Sequence, residues 1–246
     1  MIWPRRALFL VLILLLGPLA AVARGDVNVT RDWTRASRES AGLAPPPETT
    51  PEAVVQVYAA RTFGWRGAFA VHTWISLKPE RADEYTTYEV IGWYAFGGGR
   101  ALQIHNNGPD RYWFGARPEV LAELRGPQAA SAIEKIKRAA LSYPYADSYR
   151  TFPGPNSNTF VAYVTRAVPE LGVDLPPTAV GKDFLANGDL IDRAPSGSGV
   201  QLSLFGLLGV ILSPQEGLEI NLFGLAFGLK PKGPALRLPG IGTVGP

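Results

Sequence analysis

Apolar and polar positions alternate in short runs between residues 53 and 116. "EAVVQVYAARTFG" predicts a strand over 53–60, "GAFAVHTWISLKP" one over 69–78, and "EYTTYEVIGWYA" one over 85–94. "RALQIHNNG" reads as a fourth, short strand after a Gly97-Gly98-Gly99 turn, and "DRYWFG" as a fifth. Val, Ile, Thr, Tyr and Trp dominate these runs, and such side chains pack well on a pleated, half-buried surface. The spacers have hairpin length, so the segment reads as an antiparallel meander.

The period then lengthens. "RPEVLAELRG" predicts a short helix opened by Pro118. "PQAASAIEKIKRAALSY" predicts a longer one, with Pro127 suited to its first turn and Ala129, Ile133, Ile136, Ala140 and Leu141 recurring at three and four. "NTFVAYVTRAV" predicts a third helix that Pro169 ends, with Phe160, Val161 and Val164 on one side. Strands first and helices second give an α+β class, an antiparallel sheet packed by helices.

The two ends differ from this middle. "MIWPRR" is basic, "ALFLVLILLLGPLAAVA" is apolar, and Ala21-Val22-Ala23 fits a small-x-small cleavage pattern, so residues 1–23 read as a signal peptide or membrane anchor. Residues 24–52 read as a linker, polar and then Pro-rich, with a short helix around 32–38. The main domain is placed at 53–195 and a Gly/Leu-rich β extension at 196–246. Within the extension, "LSLFGLLG" at 202–209 and "INLFGLAF" at 220–227 form a weak repeat. Each is read as one strand of a β-hairpin, and "PALRLPGIGTVGP" as a further edge strand. Such a hairpin either docks on the main sheet or exposes an apolar patch for membrane or partner contact.

Composition narrows the chemistry. The net charge is +3 and no Lys/Arg run is interleaved with aromatics, so nucleic acid is not expected as a partner. The absence of cysteine excludes disulfides, Cys-zinc sites and thiolate catalysis. With only His72 and His105, a His-rich metal site is not expected, nor any cofactor. The leader points to an exported bacterial envelope protein, periplasmic or anchored to the inner membrane and facing the periplasm.

The candidate chemistry starts at "GPNSNTFVAYV", where Asn156 and Ser157 stand ahead of the third helix. Both residue types are good helix caps. A nucleophile there would also feel the positive end of the helix dipole. His72 alternates with Ala70, Trp74 and Ser76 on a mixed strand face. "VHTWISL" together with "NSNTFVAYV" resembles the circularly permuted papain-like proteins, the group holding lecithin:retinol acyltransferase-like and permuted NlpC-type enzymes. In that group an H-x-x-I/V strand precedes an N-C-x-x-F motif at a helix start. Here Ser157 stands where the group has cysteine, and "YPYADSYRTFPGPN" is similar to the lead-in of the motif. The resemblance covers roughly residues 53–171. The whole chain also resembles an uncharacterised bacterial exported family, domain of unknown function 3750, which implies no activity.

The papain-like resemblance implies roles. His72 would be the base, Glu89 on the neighbouring strand the third member, and His105 the alternative to it. Asn156 and the amide of Ser157 would be oxyanion donors. Each also has a structural role open to it: a cap for Ser157 and Asn156, a solvated strand face for Glu89, a turn for His105. Serine in a cysteine-built site leaves two functions in play. One is a binding module for a peptidoglycan, peptide or lipid ligand. The other is an active amide or ester hydrolase or acyltransferase using Ser157 and His72. Dense aromatics nearby would suit the wall of a groove for either.

Overall fold

A computed structural model describes residues 3–27, 29, 30 and 32–245. Helix α1 runs Trp3–Ala23, and its side chains are described from residue 12 onward. Then come strands β1 (Val54–Arg61), β2 (Val71–Lys78) and β3 (Thr86–Val90), a one-turn helix α2 (Gly92–Phe96), and strands β4 (Leu102–His105) and β5 (Glu119–Arg125). Helices α3 (Gly126–Leu141) and α4 (Ser157–Ala167) follow. The five strands form an antiparallel sheet in the order β4-β3-β2-β1-β5.

Strand alternation sorts the two faces of this sheet. Val55, Val57, Val71, Ile75 and Leu77 point to one side, where Ile133 and Ile136 of α3 and Phe160, Val161 and Val164 of α4 complete a fully buried core. The opposite face carries Tyr58, His72 and Trp74, and loops seal it. Trp74 stacks on Tyr58 at 5.3 Å and donates its indole N–H to the Pro109 carbonyl at 2.7 Å. Asp110 accepts from the Ser40 hydroxyl and from the amides of Leu43 and Ala44, which ties the 40–44 segment over the same face. Both central strands are therefore buried on both sides.

The α+β architecture matches the sequence pattern, and four local expectations do not hold. The "RPEVLAELRG" segment is strand β5 and not a helix. It pairs along β1, whose far edge would otherwise be a buried row of unpaired amides. The expected third strand stops at Val90 and turns into α2. "DRYWFG" forms only isolated bridges, Ser40–Arg111 and Trp113–Ala116. Among the described residues, 32–38 hold turns and no helix.

The C-terminal part departs most from the pattern. Strands β6 (Ile191–Asp192), β7 (Val200–Leu204), β8 (Leu208–Ser213), β9 (Gly217–Leu222), β10 (Leu225–Lys230), β11 (Ala235–Leu238) and β12 (Gly242–Val244) form a seven-stranded antiparallel sheet in sequential order. The pattern predicts a hairpin with one further edge strand over "PALRLPGIGTVGP", where β11 and β12 lie. The Leu-Phe-Gly-Leu repeats are not strands but bends. Phe205 and Gly206 (φ 54° and 76°) and Phe223 and Gly224 (φ 51° and 83°) are all left-handed, the conformation a tight hairpin requires. Each repeat thus joins two strands, so the two repeats carry β7 to β10 where the pattern predicts one strand apiece.

This second sheet is polar on its buried side. Gln201, Ser203, Glu219, Asn221 and Arg237 are buried. Arg237 donates to Glu219 at 2.6 Å, to Asp174 at 2.7 Å and to the Leu175 carbonyl at 2.6 Å. Lys182 is paired with Glu219 and with Asp183, and Lys230 with Asp174 at 2.8 Å. The network joins the sheet to the segment after α4.

Burial by itself would raise the pKa of Glu219, but Lys182 and Arg237 outweigh it and hold the carboxyl below its ordinary value. Its contribution to stability is therefore complete above the unfolded carboxylate value of about 4.3 and declines as the pH falls below it. Arg237→Met leaves Glu219 and Asp174 short of a buried partner, so urea unfolding at neutral pH should show a loss of about 3–5 kcal/mol. A loss below about 1 kcal/mol, an ordinary surface effect, would contradict this role.

Candidate functional site

The N-terminus of α4 is bolted to the start of β2. The Asn156 side chain accepts from the amides of Asn158 and Thr159 at 3.0 and 3.1 Å, and the Thr159 hydroxyl accepts from the Asn156 amide at 3.1 Å, a reciprocal cap. The Asn156 amide group donates to the carbonyls of Thr151 and Val180. Gly181, at φ +103°, leaves room for this group, because a Cβ there would overlap the Asn156 side chain. The Asn158 side chain donates to the Val71 and Val180 carbonyls at 3.0 and 2.8 Å and accepts from the Thr73 hydroxyl at 2.9 Å. With Asn156 and Asn158 committed, the residue between them accepts at its carbonyl from the Thr73 hydroxyl at 3.4 Å. Among the described residues, neither the amide N–H nor the hydroxyl of Ser157 has a hydrogen-bond partner.

Glu89 is the centre of the other half. Its carboxylate is fully buried and accepts from His72 Nε2 at 2.8 Å, from His105 Nε2 at 2.6 Å and from the Arg111 guanidinium. Burial opposes its ionisation, but these donors outweigh burial and hold the pKa well below the ordinary carboxylate value. An ionised carboxylate only accepts, so each imidazole presents Nε2–H to it. His105 Nδ1 in turn accepts from the Asn107 amide at 3.2 Å. His72 Nδ1 has no hydrogen bond among the described residues. Burial lowers the pKa of His72; Glu89 opposes this and Arg111 adds to it. The ring is therefore neutral at pH 7, with a lone pair on Nδ1, and Arg111 supplies the positive charge that matches Glu89.

Arg111 is the residue that the sequence pattern does not single out; Trp113 belongs to the dense aromatics that it reads as core or groove wall. Trp113 stacks on His72 with centroids 3.6 Å apart and planes 11° from parallel. Arg111 lies over the rings of Trp74 and Trp113 at 5.8 and 5.6 Å. The loop after β4 brings both over the sheet. An arginine directly before the aromatics of "DRYWF" was the only signal for Arg111.

The two halves meet at one cavity of about 710 Å³. His72, Asn156, Ser157 and Asn158 lie on it, with walls of Trp93, Trp113, Phe114, Phe152 and Phe69. Three wall residues are strongly exposed, Trp65 at 62%, Phe96 at 72% and Phe223 at 66%. Glu89 and His105 sit behind His72 and do not line the cavity. α4 packs on the Thr73 side of β2, and His72 projects from the other side, so the two residues reach the cavity from opposite faces of the sheet. No hydrogen bond joins Ser157 to His72. Asn156 caps the helix with its side chain fully engaged, so the free donors at the helix start belong to Ser157. Among the described residues, no cluster of His, Asp and Glu is arranged to hold a metal ion.

The model of a family described as protein of unknown function (DUF3750) matches residues 52–184, more than half of the chain, and the chain belongs to that family. No curated protein and no solved structure matches it. The papain-like resemblance thus rests on the short motifs around His72 and Ser157.

With two histidines in the chain, imidazole NMR reads the site directly. His72 should be a neutral Nε2–H tautomer at pH 7 and should protonate only below the ordinary value of about 6.5. Its stabilising contribution is intact above that value and is lost as the pH falls through the lowered one. An Nδ1–H tautomer, or protonation at or above 6.5, would contradict the Glu89 arrangement.

Proposed function

We propose that this DUF3750 protein is an exported cell-envelope module that binds a ligand with a long apolar part, an acyl chain foremost among the peptidoglycan, peptide and lipid classes. One observation carries the reading: an aromatic-walled cavity of about 710 Å³ is lined by both Ser157, whose N–H and hydroxyl have no partner among the described residues, and His72, whose Nδ1 has none. That volume lies in the range of specific small-molecule sites, which are mostly apolar with a few convergent polar groups. A carbonyl or carboxylate head would meet the N-terminus of α4, where the unpaired amide and the helix dipole favour partial negative charge. The apolar tail would lie among the rings.

A second reading has its own support. The free hydroxyl at a helix start and a neutral histidine held by a buried carboxylate are the parts of a serine hydrolase or acyltransferase. They share the cavity without touching. Turnover would need the Ser157 hydroxyl and His72 Nδ1 to close to hydrogen-bond distance when an ester or amide binds. Export is supported by the basic start and apolar leader. Anchorage is supported by α1, whose Ala21 is buried against Val27 and Ala68, although among the described residues no helix is long and apolar enough to cross a membrane.

Two measurements separate these readings. A long-chain fatty acid should raise the melting temperature of the full chain, and Ala70→Trp, which adds an indole at the cavity lining, should reduce the shift while the chain stays folded. No shift with the wild-type chain would overturn the binding module. An alkyl fluorophosphonate that labels the wild type but not Ser157→Ala would establish the hydrolase. Absence of labelling alongside fatty-acid binding would leave the binding module alone.

A further inference from the structure

The outward face of the second sheet is inverted relative to a soluble protein. Its register aligns apolar residues across neighbouring strands. One row runs Val200, Leu212, Leu218, Leu229, Leu236 and Val244. A second runs Ile191, Leu202, Val210, Ile220 and Phe227. A third runs Leu204, Leu208, Leu222 and Leu225. No side chain in these rows carries a charge, a hydrogen-bond donor or an acceptor. Leu212 is 60% exposed and Leu229 56% exposed, and the Phe205 and Phe223 bends project at one end. Of the charged residues in the same strands, Glu219, Lys230 and Arg237 point inward to the network described above, and Asp192 lies on the edge strand β6, off these rows. Aliphatic exposure on this scale marks a contact surface and not ordinary protein exterior.

We propose that this face rests on a lipid bilayer. Three features favour lipid over a second protein surface. The rows offer no side-chain hydrogen bond, whereas protein interfaces carry about one per 100–200 Å². The inner strands are paired with neighbours over most of their length and the edge strands β6 and β12 are short, so the face can meet hydrocarbon with few open backbone groups. The face is also tied to a second apolar surface. Gly17 and Pro18 of α1 pack backbone to backbone on Pro239 and Gly240 in the β11–β12 turn, and Arg61 donates to the carbonyls of Gly240 and Ile241 at 2.6 and 3.2 Å. On α1, Leu12, Ile13, Leu16 and Leu19 are exposed. The helix and the sheet therefore present leucine-rich surfaces from one joined body. This assignment stands on the sheet and holds whether or not the cavity takes a ligand.

The chain lacks cysteine, so a single introduced one is a unique label site. An environment-sensitive fluorophore on Leu218→Cys, in the full chain, should brighten on adding vesicles of phosphatidylethanolamine and phosphatidylglycerol. Lipids carrying a nitroxide in the acyl chain should quench it. The same fluorophore on Glu134→Cys, an exposed position of α3, should not respond. Replacing Leu212 and Leu229 together by glutamate should weaken vesicle flotation at least ~10-fold, because charges on a lipid-facing strand are costly. Circular dichroism confirms that this variant folds, and the milder Leu212→Gln should shift flotation in the same direction. Two results would overturn the assignment. One is vesicle binding with no quenching at residue 218, which would leave α1 as the sole lipid contact. The other is a doubled mass in solution with the residue 218 label shielded before vesicles are added, which would make a second copy the occupant.

Discussion

The buried carboxylate of Glu89 is the constraint on which the site depends. Its two oxygens accept from groups on β2, on β4 and on the loop that follows β4. A buried carboxylate in this environment is tolerable only while those donors stay in place. Holding them fixes the proton of His72 on Nε2. It also draws the loop across the sheet, so that Trp113 seats against the imidazole and forms a wall of the cavity. The tautomer of the histidine and the shape of the cavity are consequences of one ion. The opposite wall has a comparable origin. Asn156 and Asn158 exhaust their amide groups in seating α4 on β2, and the amide N–H and hydroxyl of Ser157 are left without a partner among the described residues.

A similar logic with opposite polarity governs the second sheet. Its inward side is charged and must be matched, which the Lys182, Glu219, Arg237 and Asp174 network does. Once that side is committed inward, strand alternation leaves the leucines outward. The sheet is attached by ions and hydrogen bonds beside a few buried apolar contacts such as Ile211 and Ala226, so its outward apolar side remains available for a bilayer. Cavity and sheet also meet at one place: Phe223 and Leu225, at the β9–β10 bend, border the cavity mouth. An apolar ligand entering there would leave a surface of its own kind.

Much of the first sheet was legible in the sequence because its strands alternate and its helices keep period. α4 and the longer helix α3 fall where the pattern puts them. β5 was not legible. Its residues form helices readily, and only the unpaired edge of β1, a tertiary fact, makes it a strand. The short helix α2 was masked by aromatic residues that read as strand. In the C-terminal part the repeat was visible but its meaning was not. A Phe-Gly pair inside an alternating run looks like strand, and only left-handed backbone at both positions turns it into a bend. In the site, the strand neighbours His72 and Glu89 and the helix start at Ser157 could be located from spacing and resemblance. That Ser157 and His72 lie on opposite faces of β2 was not apparent from motif order. Arg111 was invisible because a single arginine before Tyr-Trp carries no periodic signal, and its partner lies 22 residues upstream in a different element.

The central claim is that a Glu89-organised cavity receives an apolar ligand by its head group. A crystal structure of the full chain with a long-chain fatty acid tests it most directly. The account predicts the tail among Trp93, Trp113 and Phe152 and the carboxylate within hydrogen-bond distance of the Ser157 amide. A fatty acid seated elsewhere, or one lying in the cavity with its carboxylate turned out to solvent away from Ser157, would contradict it.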